Sequence, residues 1–66
     1  MDIKISYIII TWNGLALIRR LLESMLHQMK REDVEVIVVD NGSADGTKEF
    51  LKREYTEVRL IENAEN

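Results

Sequence analysis

Two short polar segments hold most of the side chains in this sequence that could bind a ligand. The first, "TWNG", contains Thr11, Trp12 and Asn13, and the second, "DNGSADGT", begins with Asp40 and Asn41. A tryptophan can stack on a nucleobase, and such stacking contributes about 1–3 kcal/mol per base. Aspartate can accept hydrogen bonds from a base N–H or a ribose hydroxyl, and asparagine can both donate and accept. Together these side chains could recognise a nucleotide.

Each of these residues also has a purely structural interpretation. Trp12 could cover the top of the first helix, and Thr11 and Asn13 could serve in capping and turn formation. Asp40 could accept backbone N–H groups of its own loop, as aspartate often does in turns. The spacing alone leaves both interpretations of Asp40 open.

Other kinds of site find little support in the sequence. The segment after the first apolar run has one glycine where a dinucleotide-binding loop would have G-x-G-x-x-G, and no G-x-x-x-x-G-K-[ST] motif occurs. The single histidine, His27, lies within a helical pattern and supports neither a metal cluster nor a Ser-His-Asp arrangement. The sequence therefore predicts no metal site and no catalytic residue in this chain.

Length, charge and composition limit the class of protein. With 66 residues the chain forms one domain at most, over 1–66, and such a small domain is only marginally stable. Its 45% hydrophobic and 32% charged residues are typical of a globular protein. A net charge of −3 disfavours nucleic-acid binding, which usually needs a basic face. No apolar run reaches the roughly 18 residues that span a bilayer, and the absence of cysteine favours a cytoplasmic protein.

Apolar periodicity predicts alternating strands and helices. Continuous apolar runs are typical of strands buried on both faces, and three- and four-residue spacing indicates helices. The predicted elements are a strand at 3–10, a helix at 15–30, a strand at 34–39, a helix at 47–55 and a strand at 58–61. We expect Asn13 to cap the first helix, Ser43 or Asp45 to cap the second, and the polar residues 62–66 to fray.

The order β-α-β-α-β predicts an α/β fold with a parallel sheet and right-handed crossovers. If the strands lie in the order 3-2-1, both helices cover the same face. The other face would then expose alternate apolar side chains of the first two strands. We expect a missing C-terminal half, a second copy of the chain or a partner to cover it. Both polar segments follow strands at their carboxyl ends, where open parallel sheets bind ligands.

The combination of "TWN" with "VVDNGSADGT" resembles the N-terminal part of the family 2 glycosyltransferases, which have the GT-A fold. The resemblance extends from Ile5 to Asn63. It implies an incomplete Rossmann-like half, in which 1–66 is a single truncated subdomain that binds a nucleotide sugar. The implied activity is transfer of a sugar from a UDP- or dTDP-sugar to a saccharide, lipid or protein acceptor.

The same resemblance assigns roles to the two polar segments. Trp12 would flank the base, and Asp40 and Asn41 would line the base and the ribose. Thr11 and Asn13, which could hydrogen-bond a ligand, lie on either side of the tryptophan. Many members of the family have two acids where this chain has "DN", so the amide keeps hydrogen-bonding capacity but loses charge. A divalent metal (Mg or Mn) on a DxD-type motif and a carboxylate base are implied only for a full-length enzyme, beyond the end of this sequence.

Two functions follow as alternatives. In the first, the chain is the nucleotide-binding part of a glycosyltransferase and is inactive by itself. In the second, it is a small non-catalytic α/β module that self-associates or binds a partner through its uncovered sheet face. A receiver-like fragment is disfavoured, because the first strand ends in "TWN" rather than in an acidic pair.

Overall fold

The computed structural model describes residues 2–64, which form a three-stranded parallel sheet with helices packed on one face. The elements in chain order are β1 (Ile5–Thr11), α1 (Leu15–Ser24), α2 (Leu26–Met29), β2 (Val34–Asn41), α3 (Thr47–Glu54) and β3 (Arg59–Asn63). The predicted α/β class and the alternation of strands and helices are therefore confirmed. None of the helices within residues 2–64 is long and apolar enough to cross a membrane.

The strand β2 lies in the centre of the sheet, between β1 and β3, and runs parallel to both. Val38 of β2 lies opposite Ile9 on one side and opposite Leu60 on the other. This is the order under which both crossovers run in the same direction across the sheet and both helices cover one face. The carboxyl ends of β1 and β2, which carry the two polar segments, are consequently neighbours.

The hydrophobic core lies between the helices and one face of the sheet. Its most deeply buried apolar side chains are Leu22 of α1, Val38 of β2 and Leu51 of α3, each at most 1% exposed. Along β2, buried and half-buried residues alternate, because successive side chains of a strand point to opposite faces. Full burial of one large aliphatic side chain contributes about 1.5–3 kcal/mol, so these few contacts carry much of the stability of so short a chain.

The opposite face of the sheet is apolar and is uncovered by the described residues. We call it the bare face, and it comprises Ile8, Ile10, Ile37, Val39 and Ile61. Ile8, Ile10 and Ile61 are 64%, 70% and 40% exposed. Ile10, Val39 and Ile61 lie side by side across the three strands. The prediction of an uncovered apolar face is thus confirmed.

The first predicted helix is interrupted, so the single helix expected over 15–30 is wrong. α1 ends at Ser24, and Met25 leaves the helical conformation with φ −102° and ψ 7° before α2 begins. The Ser24 hydroxyl donates to the backbone oxygen of Leu21 at 2.6 Å. Back-bonding of this kind bends helices, and the Met25 N–H accordingly donates three residues back rather than four.

All three strands extend further at their carboxyl ends than the sequence predicted. The hydrogen-bonded ladder continues through Thr11 opposite Asp40 and through Asn41 opposite Asn63. Fraying from Glu62 onward is therefore wrong for the first part of that segment, since β3 includes it; the last two residues of the chain lie outside the described residues. The sheet itself thus holds three of the predicted site residues.

Candidate functional site

Two loops meet at the carboxyl edge of the sheet. We call residues 12–14, after β1, loop 1, and residues 42–46, after β2, loop 2. The backbone N–H of Asn13 donates to Ser43 Oγ at 2.8 Å, and the N–H of Ala44 donates to Asn13 Oδ1 at 2.7 Å. These bonds join residues about 30 positions apart in the sequence. The loops therefore form one hydrogen-bonded unit, as expected from their places in the predicted sheet.

Asn13 has a different structural role from the predicted one. Its φ of 49° is in the left-handed region, which asparagine adopts more readily than most residues. Gly14 occupies the N-cap position of α1 without a side-chain hydrogen bond, so the prediction that Asn13 caps this helix is wrong. The Asn13 amide oxygen instead bonds loop 2, and the side chain remains exposed.

Asp40 is fully buried and is bonded to its own loop. One carboxylate oxygen accepts from the Ser43 N–H at 2.9 Å, and the other accepts from the Ser43 hydroxyl. The Ser43 hydroxyl in turn accepts from the Asn13 N–H. A buried carboxylate needs such donors, because an unpaired charge away from water is costly. The geometry shows the structural role for Asp40; its contact with a nucleotide stays a prediction.

Asp45 connects the two helices that begin at this edge. Its Oδ2 accepts from the N–H of Leu15, the first residue of α1, at 3.1 Å. Its Oδ1 accepts from the N–H of Thr47, the first residue of α3, at 3.1 Å, and also from the Thr47 hydroxyl. The Thr47 hydroxyl, followed by the Leu15 N–H, holds the pKa of Asp45 below its ordinary value of 3.8. Gly46 occupies the N-cap position of α3, so Asp45 is not the N-cap residue itself, but its carboxylate accepts from the first N–H of that helix from one position earlier.

The contribution of Asp45 to α1 was missed by the sequence analysis. Capping signals are sought within a few positions of a helix start, whereas Asp45 lies 30 positions from Leu15. The available signal was the expected proximity of the two loops, combined with a first helix that lacks an acid in its first turn. Ser43, the other residue considered as a cap, bonds Asp40 and Asn13 instead.

The remaining predicted site residues lie at the surface of this unit or just beneath it. Trp12 is 57% exposed and borders a shallow cavity of about 260 Å³. Asn41 is half-buried, and its Oδ1 accepts from Asn63 Nδ2 at 2.8 Å, which fixes the orientation of the amide. Thr11 is buried. Asn41 alternates with the buried Asp40 along β2 and so lies on the side of the sheet that carries the bare face, whereas Trp12 lines its cavity together with α1.

Glycine is required where loop 1 approaches the end of β1. A Cβ atom built on Gly14 would lie 2.9 Å from Thr11 Oγ1, which is closer than real Cβ contacts. In loop 2, Gly46 has φ 92°, a conformation that other residues adopt only with strain. These two positions explain why a glycine precedes each of the helices α1 and α3.

The described part of the chain provides no metal centre. Within residues 2–64, no three histidine, cysteine, aspartate or glutamate side chains gather in a group that could hold a metal ion. The residues present therefore do not fit the divalent metal that the resemblance implies for a full-length enzyme.

Comparison with known proteins identifies the family. The sequence model described as Glycosyl transferase family 2 matches residues 6–66, which include both loops. The chain belongs to the family 2 glycosyltransferases. The resemblance drawn from "TWN" and "VVDNGSADGT" is thereby confirmed, and the parallel sheet with its helices fits the N-terminal half of the GT-A fold.

A curated protein aligns with nearly the whole chain. The poly(ribitol-phosphate) beta-glucosyltransferase of Bacillus spizizenii is 39% identical over 67 aligned positions. The alignment covers 96% of this chain and 11% of that relative, so this family 2 chain spans about a tenth of the relative's length. No solved structure matches the chain at a significant level.

Proposed function

We propose that this chain is the nucleotide-binding portion of a glycosyltransferase that moves a sugar from a UDP- or dTDP-sugar to a saccharide, lipid or protein acceptor. The observation that carries the proposal is the hydrogen-bonded union of loops 1 and 2 at the carboxyl edge of a parallel sheet, with Trp12 exposed beside it. Open parallel sheets bind ligands at this edge. The name of the Bacillus relative, a glucosyltransferase, supports sugar transfer.

In this proposal the indole of Trp12 stacks on the base, and the amides of Asn13 and Asn41 supply hydrogen bonds. The bond from Asn63 to Asn41 Oδ1 leaves the Nδ2 group of Asn41 for a carbonyl oxygen of the ligand. Thr11 and Asp40 lie opposite each other in the ladder between β1 and β2. Their contact with the nucleotide remains a prediction, because both side chains are buried.

Isothermal titration with UDP and with dTDP tests the proposal, with Trp12 fluorescence as a second signal. Because stacking contributes about 1–3 kcal/mol per base, Trp12→Leu should weaken binding about 5- to 150-fold. The matched control is Ile8→Ala, since Ile8 is similarly exposed but lies on the bare face. Equal affinities of the wild type and Trp12→Leu, or no binding of either nucleotide, would refute the assignment.

Catalysis requires groups that we assign to other parts of a full-length enzyme. The metal site and the carboxylate base implied by the resemblance belong to that assignment, since residues 2–64 hold no metal-binding cluster. We expect the 66-residue chain to bind a sugar nucleotide without turnover. Metal-dependent release of UDP or dTDP from a sugar nucleotide by this chain alone would contradict that expectation. The cytoplasmic location also remains a prediction.

The bare face supports a second candidate, a non-catalytic role in which two copies of the chain associate. The side chains that define it are apolar, and Ile8 and Ile10 are among the most exposed apolar side chains of the described residues. An apolar patch shared by two identical copies can pair with itself about a two-fold axis.

Sedimentation of the wild type should then show a dimer that Ile10→Lys dissociates. Leu17→Lys is the control, because Leu17 is equally exposed but lies on α1; a monomeric wild type would exclude this role.

A further inference from the structure

The outer edge of β1 is an open strand edge, because β1 pairs only with β2 within residues 2–64. Such an edge presents backbone N–H and C=O groups that can pair with another strand. We propose that it binds a second copy of the chain, whose β1 adds antiparallel to it about a two-fold axis. The inference goes beyond nucleotide binding, and it assigns self-association to this backbone edge instead of the bare face.

Three residues of β1 direct their backbone groups at this edge. The N–H of Ile5 points the other way and donates to the backbone oxygen of Asp33, just before β2, at 3.1 Å. Since a strand alternates with a period of two residues, Ser6, Ile8 and Ile10 present theirs outward. In an antiparallel copy with the axis at Ile8, Ile8 lies opposite Ile8 and Ser6 lies opposite Ile10. Each of these pairs can exchange two hydrogen bonds, so the edge is complementary to itself.

The edge of β1 lacks the charges that protect strand edges in natural proteins. Its seven residues, Ile5–Thr11, include no charged side chain. The other edge of the sheet is formed by the shorter β3, which carries Arg59 and Glu62, and Glu62 Oε2 accepts from Lys52 Nζ at 3.1 Å. Short strands and charged side chains hinder edge pairing. Two copies therefore meet at β1 without like charges, and the joint sheet ends on both sides in a protected β3 edge, so association stops at the dimer.

Apolar side chains on both faces of β1 enlarge the contact beyond the backbone. Ile8 and Ile10 lie on the bare face, and on the other face Leu17 and Leu21 of α1 line a cavity with Trp12. All five are between 41% and 72% exposed. A large aliphatic side chain has roughly 60–120 Å² of surface and an aromatic one about 150–250 Å². With the strand edge, their exposed parts reach about 500 Å² per copy, or about 1,000 Å² in total, the lower limit for a specific contact. We therefore expect a weak dimer that forms only at high concentration.

Sedimentation equilibrium tests the proposal without any nucleotide. The chain should be a monomer at about 10 μM and a dimer at about 1 mM, as expected of so small a contact. Ile8→Pro removes an outward N–H but no bond to β2, so it should fold and remain a monomer at about 1 mM. A wild type that stays monomeric at that concentration would overturn the proposal.

The matched control is Ile8→Thr at the same position, which loses the apolar side chain but keeps the N–H and a β-branched shape. Its dissociation constant should lie within about tenfold of the wild-type value, since one cross-strand pair contributes little. If Ile8→Thr dissociates the dimer as fully as Ile8→Pro, side chains of the bare face make the contact and the edge assignment is wrong.

Hydrogen exchange of the wild type decides the matter if Ile8→Pro does not fold. Between about 10 μM and about 1 mM, exchange at the N–H groups of Ser6, Ile8 and Ile10 should slow at least about tenfold, whereas exchange in β3 should not change. Association through the bare face would leave the amides of both edges unchanged. Equal changes at β1 and β3, or none at β1, would refute pairing at this edge. None of these results depends on nucleotide binding, so the nucleotide site stands or fails separately.

Discussion

Removal of the Ser43 hydroxyl should destabilise the chain far more than its small size suggests. This single group donates to a carboxylate oxygen of Asp40, which is fully buried, and accepts from the backbone N–H of Asn13. In Ser43→Ala, one oxygen of Asp40 loses its donor and the Asn13 N–H loses its acceptor. The Ser43 N–H still bonds the other oxygen of Asp40, so the carboxylate keeps one partner.

The expected loss follows from these two groups. A buried polar group left unpaired costs about 1–3 kcal/mol, and an ordinary hydrogen bond contributes about 0.5–1.5 kcal/mol. Ser43→Ala should therefore lower the free energy of unfolding by about 2–4 kcal/mol. At roughly 0.05–0.15 kcal/mol per residue, a chain of 66 residues has only about 3–10 kcal/mol in total. The variant should be partly unfolded or close to it.

Urea unfolding followed by circular dichroism measures this difference through the midpoint and the slope. Ser24→Ala is the matched control, because the Ser24 hydroxyl donates only to a backbone oxygen on an exposed helix. Its free energy of unfolding should change by less than about 0.5 kcal/mol. If Ser43→Ala were as mild as Ser24→Ala, the union of the two loops would not depend on this hydroxyl and the reasoning would be refuted.

Three further variants address other parts of the structure. Gly14→Ala should lower the free energy of unfolding in urea by about 1–3 kcal/mol, because its new Cβ would lie 2.9 Å from Thr11 Oγ1. Adding Thr11→Ser to this variant should not relieve the clash, because serine keeps the hydroxyl oxygen. Gly46→Ala should lower the free energy of unfolding by about 1–2 kcal/mol through its φ of 92° alone, because the new Cβ would lie 3.9 Å from Leu15 Cδ2, an ordinary van der Waals distance; a neutral result would contradict this cost. The hydrogen bonds to Asp45 lower its pKa, so the stability that they contribute is complete above its ordinary value of 3.8 and is lost as the pH falls through the folded value. Acid titration of unfolding should thus be flatter below about pH 4 for Asp45→Asn, and a slope identical to that of the wild type would contradict this assignment.

The sequence determined the sheet more completely than the helix boundaries. Continuous β-branched and apolar runs predicted all three strands, because such runs suit a parallel sheet, and right-handed crossovers left few possible strand orders. The break at Met25 escaped detection since apolar spacing continues across it, and the cause is a local bond from Ser24 to Leu21. Periodicity describes which face of a helix is apolar, but it does not report a side chain that competes for backbone oxygens.

The sequence predicted that the two loops meet, but it did not predict their individual hydrogen-bond partners. The juxtaposition of the two loops followed from the topology. The assignment of Asn13 as a cap failed because the stronger acceptor for the Leu15 N–H, the Asp45 carboxylate, arrives from 30 positions away. Capping rules consider only residues close in sequence to the helix start, whereas here the fold brings the Asp45 carboxylate from another segment.

The central position of β2 determines how slowly the backbone next to the candidate site opens. β2 alone among the described strands is hydrogen-bonded on both edges, and loop 2 follows it directly. Amide hydrogen exchange should therefore be slowest in β2, while β1 and β3, each with one open edge, exchange sooner. Asn41 therefore lies on the strand that opens last. Transient opening of an outer strand can occur many times in the lifetime of the central one, and the carboxyl end of β2 remains in place through those events.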